Sequence, residues 1–187
     1  MTISFTSGGP TDTLEKLYAQ QWSADLARLS ATGFADGSAL TLDTPYQVDY
    51  LSLDKVAKGA PGDAAQVTRW RQLIIGGGRP LAEVELNDHG NPIALHEGPA
   101  KDGLQAAIAK AALLDGDFTA RVVQSAALKF SALKLQQGSQ TLFIPYPPNQ
   151  TGLANYEVIP AADAFAALQL LAAQTLKAAQ GDGTTGG

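Results

Sequence analysis

The sequence predicts an α+β fold, a single mostly antiparallel sheet of five to six strands packed by about three helices. Three observations carry that expectation. Apolar residues recur at helical spacing in three segments. Alternating segments lie between them, and three glycine-bearing turns place like residues opposite like when the flanking strands are paired.

Residues 1–10 read as a loose leader and GDGTTGG, Gly181 to Gly187, as a disordered tail, leaving 11–180 as one domain. The first helix starts at Asp12, with Glu15 as its capping-box partner. It carries Leu14, Leu17, Tyr18, Trp22, Leu26 and Leu29 on one stripe and stops at Gly33. Tyr46 to Leu53 reads as a strand and Asp54 to Ala65 as a long polar loop. Lys101 to Leu114 is an alanine-rich helix closed by Asp115-Gly116-Asp117. Phe118 to Gln136 is too long for one regular strand, so a bulge or bend is expected near Ser125–Ala127. The last helix spans Ala161 to Gln180, burying Phe165, Leu168, Leu171 and Leu176, with Asp163 favourable in its first turn.

Register is testable from sequence, because a slip of one residue moves every side chain to the wrong face. A three-residue loop at Gly76–Gly78 sets Arg71 opposite Glu83, Arg69 opposite Glu85, and Trp70 opposite Val84. A two-residue loop at His89-Gly90 pairs Leu86 with Ile93, Val84 with Leu95 and Glu83 with His96. A turn at Gly138-Ser139 pairs Leu135 with Leu142 and Leu133 with Ile144, and Pro145 ends regular pairing. The expected core is Trp22, Trp70, Val84, Leu86, Leu95, Leu133, Leu135 and Phe165. The triple glycine is no phosphate cradle, since Arg79-Pro80 and an alternating strand follow it where a helix N-terminus would be needed.

Composition narrows the chemistry. At 187 residues the chain builds a core without disulfides, and it contains no cysteine, which removes thiol nucleophiles and thiolate metal sites. The net charge is −5 and the thirteen Lys and Arg form no run, so nucleic acid is not an expected partner. No apolar run is long enough to span a bilayer, and the first residues lack the pattern of a signal peptide. A soluble cytoplasmic protein is the default expectation.

The registers place Arg71, Glu83 and His96 in one row across a three-stranded meander, with Arg69 and Glu85 beside them. Under partial cover this row is a candidate catalytic site: His96 a general base, Glu83 its orienter, Arg71 a binder of an anionic group. The simpler reading is a solvated charge ladder, each pair contributing roughly a few tenths to 1 kcal/mol. His89 belongs to a tight turn. A metal set of His89, His96, Asp88 and Glu97 would have its histidines on opposite sides of a hairpin tip, so no metal or cofactor is expected. No serine sits in a nucleophile elbow.

The segment Phe143 to Pro160 holds Pro145, Pro147 and Pro148 together with Tyr146 and Tyr156, which are candidate binding residues of a recognition loop. Its other reading is a long connection packed back by those tyrosines. Asn149-Gln150-Thr151 matches a glycosylation acceptor, of little weight without a secretion signal. The stretch RQLIIGGGRPLAEVEL resembles a hairpin of the chorismate-lyase and transcription-factor ligand-binding superfamily, and no site residue is carried over from it. Two function classes follow. The first is a non-enzymatic binding or assembly domain acting on a protein partner or a second copy of the chain. The alternative is a small-molecule enzyme or ligand-binding domain that takes an anionic ligand on the Arg71/Glu83/His96 face.

Overall fold

The computed structural model describes residues 2–19, 22–33, 39–59 and 65–181. Its strands are β1 (Thr2–Phe5), β2 (Thr41–Leu42), β3 (Tyr46–Leu51), β4 (Ala65–Gly76), β5 (Arg79–Leu86), β6 (Pro92–His96), β7 (Asp117–Ser125), β8 (Phe130–Gln137), β9 (Gln140–Pro145) and β10 (Ile159–Pro160). Its helices are α1 (Thr13–Ala19), α2 (Ser23–Gly33), α3 (Leu53–Ala57), α4 (Ala100–Ala111) and α5 (Ala161–Gly181). The fold is therefore α+β as expected, but its sheet is larger and mixed.

Eight strands run in the order β10-β9-β8-β7-β3-β4-β5-β6, with β1 added to β7 and β2 to β4. Both β1 and β3 lie parallel to β7, and every other pair is antiparallel. The expectation of five to six strands and about three helices is corrected here to ten and five among the described residues. It failed because single-hairpin registers reveal only neighbours in sequence. The parallel seam between β3 and β7 joins residues far apart in the chain, Val48 with Val122 and Tyr50 with Gln124.

Several boundaries move for local reasons. The first helical segment is two helices, and Asp12 pairs its carboxylate with Lys16 at 3.0 Å. Residues 2–5, expected as leader, form β1. The polar loop after β3 opens with α3, capped by Ser52, whose Oγ accepts from the Lys55 backbone N–H at 3.4 Å. Val56 of that helix is buried, and residues 60–64 of the loop lie outside the described residues. Phe118 to Gln136 is not one bent strand but β7 and β8 joined by a tight turn, with Lys129 at φ 46°. Of the expected tail, Gly181 closes α5, and 182–187 lie outside the described residues.

Alternation along the strands sorts the core into two faces. One face carries Tyr46, Val48, Leu73, Val122, Leu133 and Ile144 against Leu104, Ala107 and Ala111 of α4. On the opposite face α1 and α2 pack Leu17, Leu26 and Leu29 over Ile74, Val84 and Leu86. The same side holds α3 and α5, whose Val56, Ala164, Leu168 and Ala172 meet Val123, Phe130, Ala132 and Phe143. Of the expected core, Val84, Leu86, Leu133 and Leu135 are buried. Trp22, Trp70, Leu95 and Phe165 are half-buried at the cluster margins.

The hairpin registers hold to different degrees. Gly138 turns β8 into β9 with Leu135 opposite Leu142 and Leu133 opposite Ile144, as expected. Glu83 faces His96 and Val84 faces Leu95, but a bulge sets Leu86 against Pro92 instead of Ile93. At the triple glycine the loop is two residues, Gly77 at φ 57° and Gly78 at φ 74°, followed by an irregularity between Ile74 and Ile75. Arg71 consequently faces Glu85, and Trp70 faces Leu86. The displacement is two residues, so every side chain keeps its face and only its direct partner changes.

Helix α4 lies close to the sheet because Gly103 permits it. A Cβ there would come within 2.7 Å of the Pro147 carbonyl oxygen and 2.9 Å of the Tyr146 ring. An interior helical Gly→Ala change ordinarily stabilises by about 1 kcal/mol. Gly103→Ala is expected to have the opposite sign, destabilising by about 1–3 kcal/mol through steric displacement of α4, as read from the urea midpoint.

Candidate functional site

The face beneath α4 is apolar except at one end, where four adjacent strands each contribute polar side chains. Tyr46 and Tyr50 come from β3, Arg71 from β4, Glu83 and Glu85 from β5, and His96 from β6. All are even steps apart on their strands or directly opposed across them, so the pleat aims them at one side.

Arg71 is the centre, 6% exposed. Its Nε donates to Glu85 Oε2 at 3.1 Å, and Nη1 to Glu83 Oε2 at 3.3 Å. Its Nη2 donates to Glu85 Oε2 and to the Tyr50 hydroxyl, both at 2.7 Å. Glu83, 2% exposed, accepts at Oε1 from the Tyr46 hydroxyl at 2.6 Å, and Tyr50 donates to Glu85 Oε2 at 2.8 Å. His96 is the open end of the row, its side chain 42% exposed. Its Nε2 lies 3.3 Å from Arg71 Nη2 and 3.3 Å from Glu85 Oε2. One nitrogen cannot at once accept from the guanidinium and donate to the carboxylate, so the two contacts select different tautomers.

The electrostatics follow from burial and neighbours. Burial opposes the Arg71 charge, but Glu83, Tyr50 and Glu85 overcome it and hold the guanidinium above its usual value. Hydrogen bonding from His96, opposed by burial and reinforced by Arg71 and Tyr50, draws the Glu85 carboxyl down to about 2. Burial, with Glu83 adding to it, pushes the Tyr46 hydroxyl well up, and burial lifts Tyr50 to about 12. Tyr146, also fully buried, is raised by burial and by Glu83. Its hydroxyl has no well-formed hydrogen bond, and the Gln124 side chain is within electrostatic reach of it.

One guanidinium serves two carboxylates. All three guanidinium nitrogens are engaged beneath α4. That arrangement binds β3, β4 and β5 together. The remaining residues singled out from sequence lie elsewhere. Arg69 pairs with Asp88 at 3.2 Å at the surface, not with Glu85. Tyr146 is buried in the α4 cluster, and Tyr156, at φ 64°, packs against the same cluster with its N–H on the Pro145 carbonyl at 2.7 Å. The proline-rich segment is thus packed back by its tyrosines. Glu97 is held by Arg28 and Asp88 by Arg69, so His89, His96, Asp88 and Glu97 do not converge on a common point.

Sequence reasoning missed Tyr46 and Tyr50. Their signal was present in YQVDYL, where the two tyrosines share a face. Pairing this strand with β4 would have set Tyr46 directly opposite Arg71. It also missed a groove of about 530 Å³ on the opposite sheet face. Leu51, Val123, Phe143 and Phe165 form its apolar part, with Asp49 and Lys134 as charged members and Ala161 and Ala162 of α5 as a wall.

Comparison with known proteins finds no matching family model, no matching curated protein and no matching solved structure.

Removing one partner of a buried ion pair leaves the other uncompensated. Arg71→Met or Glu83→Gln is therefore expected to destabilise by about 3–5 kcal/mol in urea titrations, and Arg71→Lys to recover little of it because a single ammonium cannot span both carboxylates. The Glu85 carboxyl is lower in the folded chain, at about 2, than the ordinary glutamate value of 4.5. Its contribution is complete above that ordinary value and is lost as pH falls from there toward about 2. Glu85→Gln should flatten this acid limb of the stability–pH profile.

Proposed function

We propose that this chain is a non-enzymatic binding domain that recognises a protein partner through the groove beside α5. The observation that carries the reading is the contrast between the two polar places in the fold. The Arg71 row is buried apart from its His96 end, and its guanidinium, carboxylates and tyrosine hydroxyls bond to one another, as in a structural clamp. The groove is concave, apolar at its floor and bordered by accessible polar groups, the composition of a side-chain docking site. A second depression of about 200 Å³, between α3 and α5, shares Ala162 and Phe165 with it. The resulting trough is elongated along the helix, which suits a segment of chain better than a compact metabolite.

One observation favours the second reading, a small-ligand domain. A cavity of about 360 Å³ lined by Tyr50, Gln124, Ser131 and Pro148 adjoins the row through Tyr50. Lys129 also lines that cavity, but the row's guanidinium is already held by two carboxylates, so the partner-binding reading is preferred.

Ala162 is exposed and common to both depressions, so Ala162→Trp fills them without disturbing the core. In affinity capture from the source lysate, it should abolish a partner that the native chain retains. Ala179→Trp, on the exposed end of the same helix, should retain it. Equal capture by both variants would overturn the groove as the docking surface.

A further inference from the structure

Charged side chains border the apolar floor of the groove. Arg121 on β7 and Lys134 on β8 stand directly opposite each other, and their side chains project to the α5 side of the sheet. Directly opposed residues on an antiparallel pair have Cβ atoms about 4.5–5.5 Å apart, where like charges destabilise the pairing. The one carboxylate among the groove's lining residues is spent on Arg121. Asp49 on β3 accepts from Arg121 Nη2 at 2.6 Å and from the Thr68 hydroxyl at 2.8 Å, through the same Oδ1. Lys134 lines the groove, and among the described residues no carboxylate forms an ion pair with it. The Nε of Arg121 is buried without a hydrogen-bond partner. Asp163, the acidic residue in the first turn of α5, is exposed and is not among the groove's lining residues. Of the two charged residues lining the groove, Asp49 is thus neutralised by Arg121 behind it, and Lys134 is left as the cation without an ion-pair partner among the described residues, beside an apolar floor.

We infer that the partner segment is acidic, an apolar anchor side chain followed by Asp or Glu. This rests on the partner-binding reading above. The anchor seats against Val123, Phe143 and Phe165, and the following carboxylate meets Lys134 and relieves its repulsion with Arg121. The hydroxyl-bearing rim, exposed Ser139 and half-buried Thr141, provides further acceptors and donors for the backbone of an extended segment. A basic segment would add a third cation to a site already in excess. Complementarity of this kind acts on specificity more than on raw affinity.

The test uses two fluorescein-labelled pentapeptides, three leucines followed by two glutamates and the same leucines followed by two lysines, read by fluorescence anisotropy. The native chain should bind the acidic peptide about tenfold more tightly, a ratio within reach of a single favourable charge contact. Lys134→Glu should invert that preference, and raised salt should narrow it. Ala162→Trp should remove binding of both peptides. Equal affinity for the two peptides, lost in Ala162→Trp, would overturn the acidic preference while leaving the groove reading intact. Binding that Ala162→Trp leaves unchanged, or no binding of either peptide, would overturn both.

Discussion

The buried guanidinium of Arg71 is the constraint on which the N-terminal half of the sheet depends. A charge taken from water is tolerated only when its partners are fixed around it, and here they come from β3, β5 and β6 together. A slip of one residue in β3 or β5 would leave a carboxylate or a tyrosine hydroxyl without its partner. Hydrophobic alternation alone tolerates conservative repacking, whereas this row is satisfied by one register only. Its cover depends in turn on Gly103, since a side chain there would collide with the Pro147 carbonyl and the Tyr146 ring.

How much of this was legible depended on the range of the interaction. Turn chemistry and alternation act between near neighbours, so the Gly138 hairpin and the Val84–Leu95 pairing were readable from residues alone. The triple-glycine hairpin was read with a loop one residue too long and without its irregularity. The two departures together displaced the pairing by two residues, so Arg71, Glu83 and His96 still reached one face. The burial of Arg71 and Glu83 was not readable, because it comes from packing between elements distant in the chain. The splitting of Phe118 to Gln136 into two strands turns on Lys129 adopting a left-handed conformation that its side chain does not announce. β1 was read as a leader because its polar–apolar alternation, TISF, is only four residues long, and its partner is more than a hundred residues away.

The groove was invisible for the same reason. Asp49, Arg121 and Lys134 are unremarkable singly, each a polar residue in a strand. Their relation exists only because β3 lies against β7, and no local rule predicts a parallel pairing between segments so distant. The polar row and the groove thus stand on opposite faces of the same central strands, one spent on cohesion and the other left with charge to offer.

The β3–β7 seam has a mechanical meaning. It joins two strand systems, β2 to β6 and β7 to β10, each wound largely from consecutive segments, through three parallel residue pairs. Such non-local pairing is the slow step in assembling a sheet. Asp49 and Leu51 of the groove belong to one side of that seam, and Val123, Lys134, Phe143 and Phe165 to the other. Under the proposed reading, a segment lying in the groove would act as a splint across the join, its grip coupled to whether the two halves of the sheet stay closed.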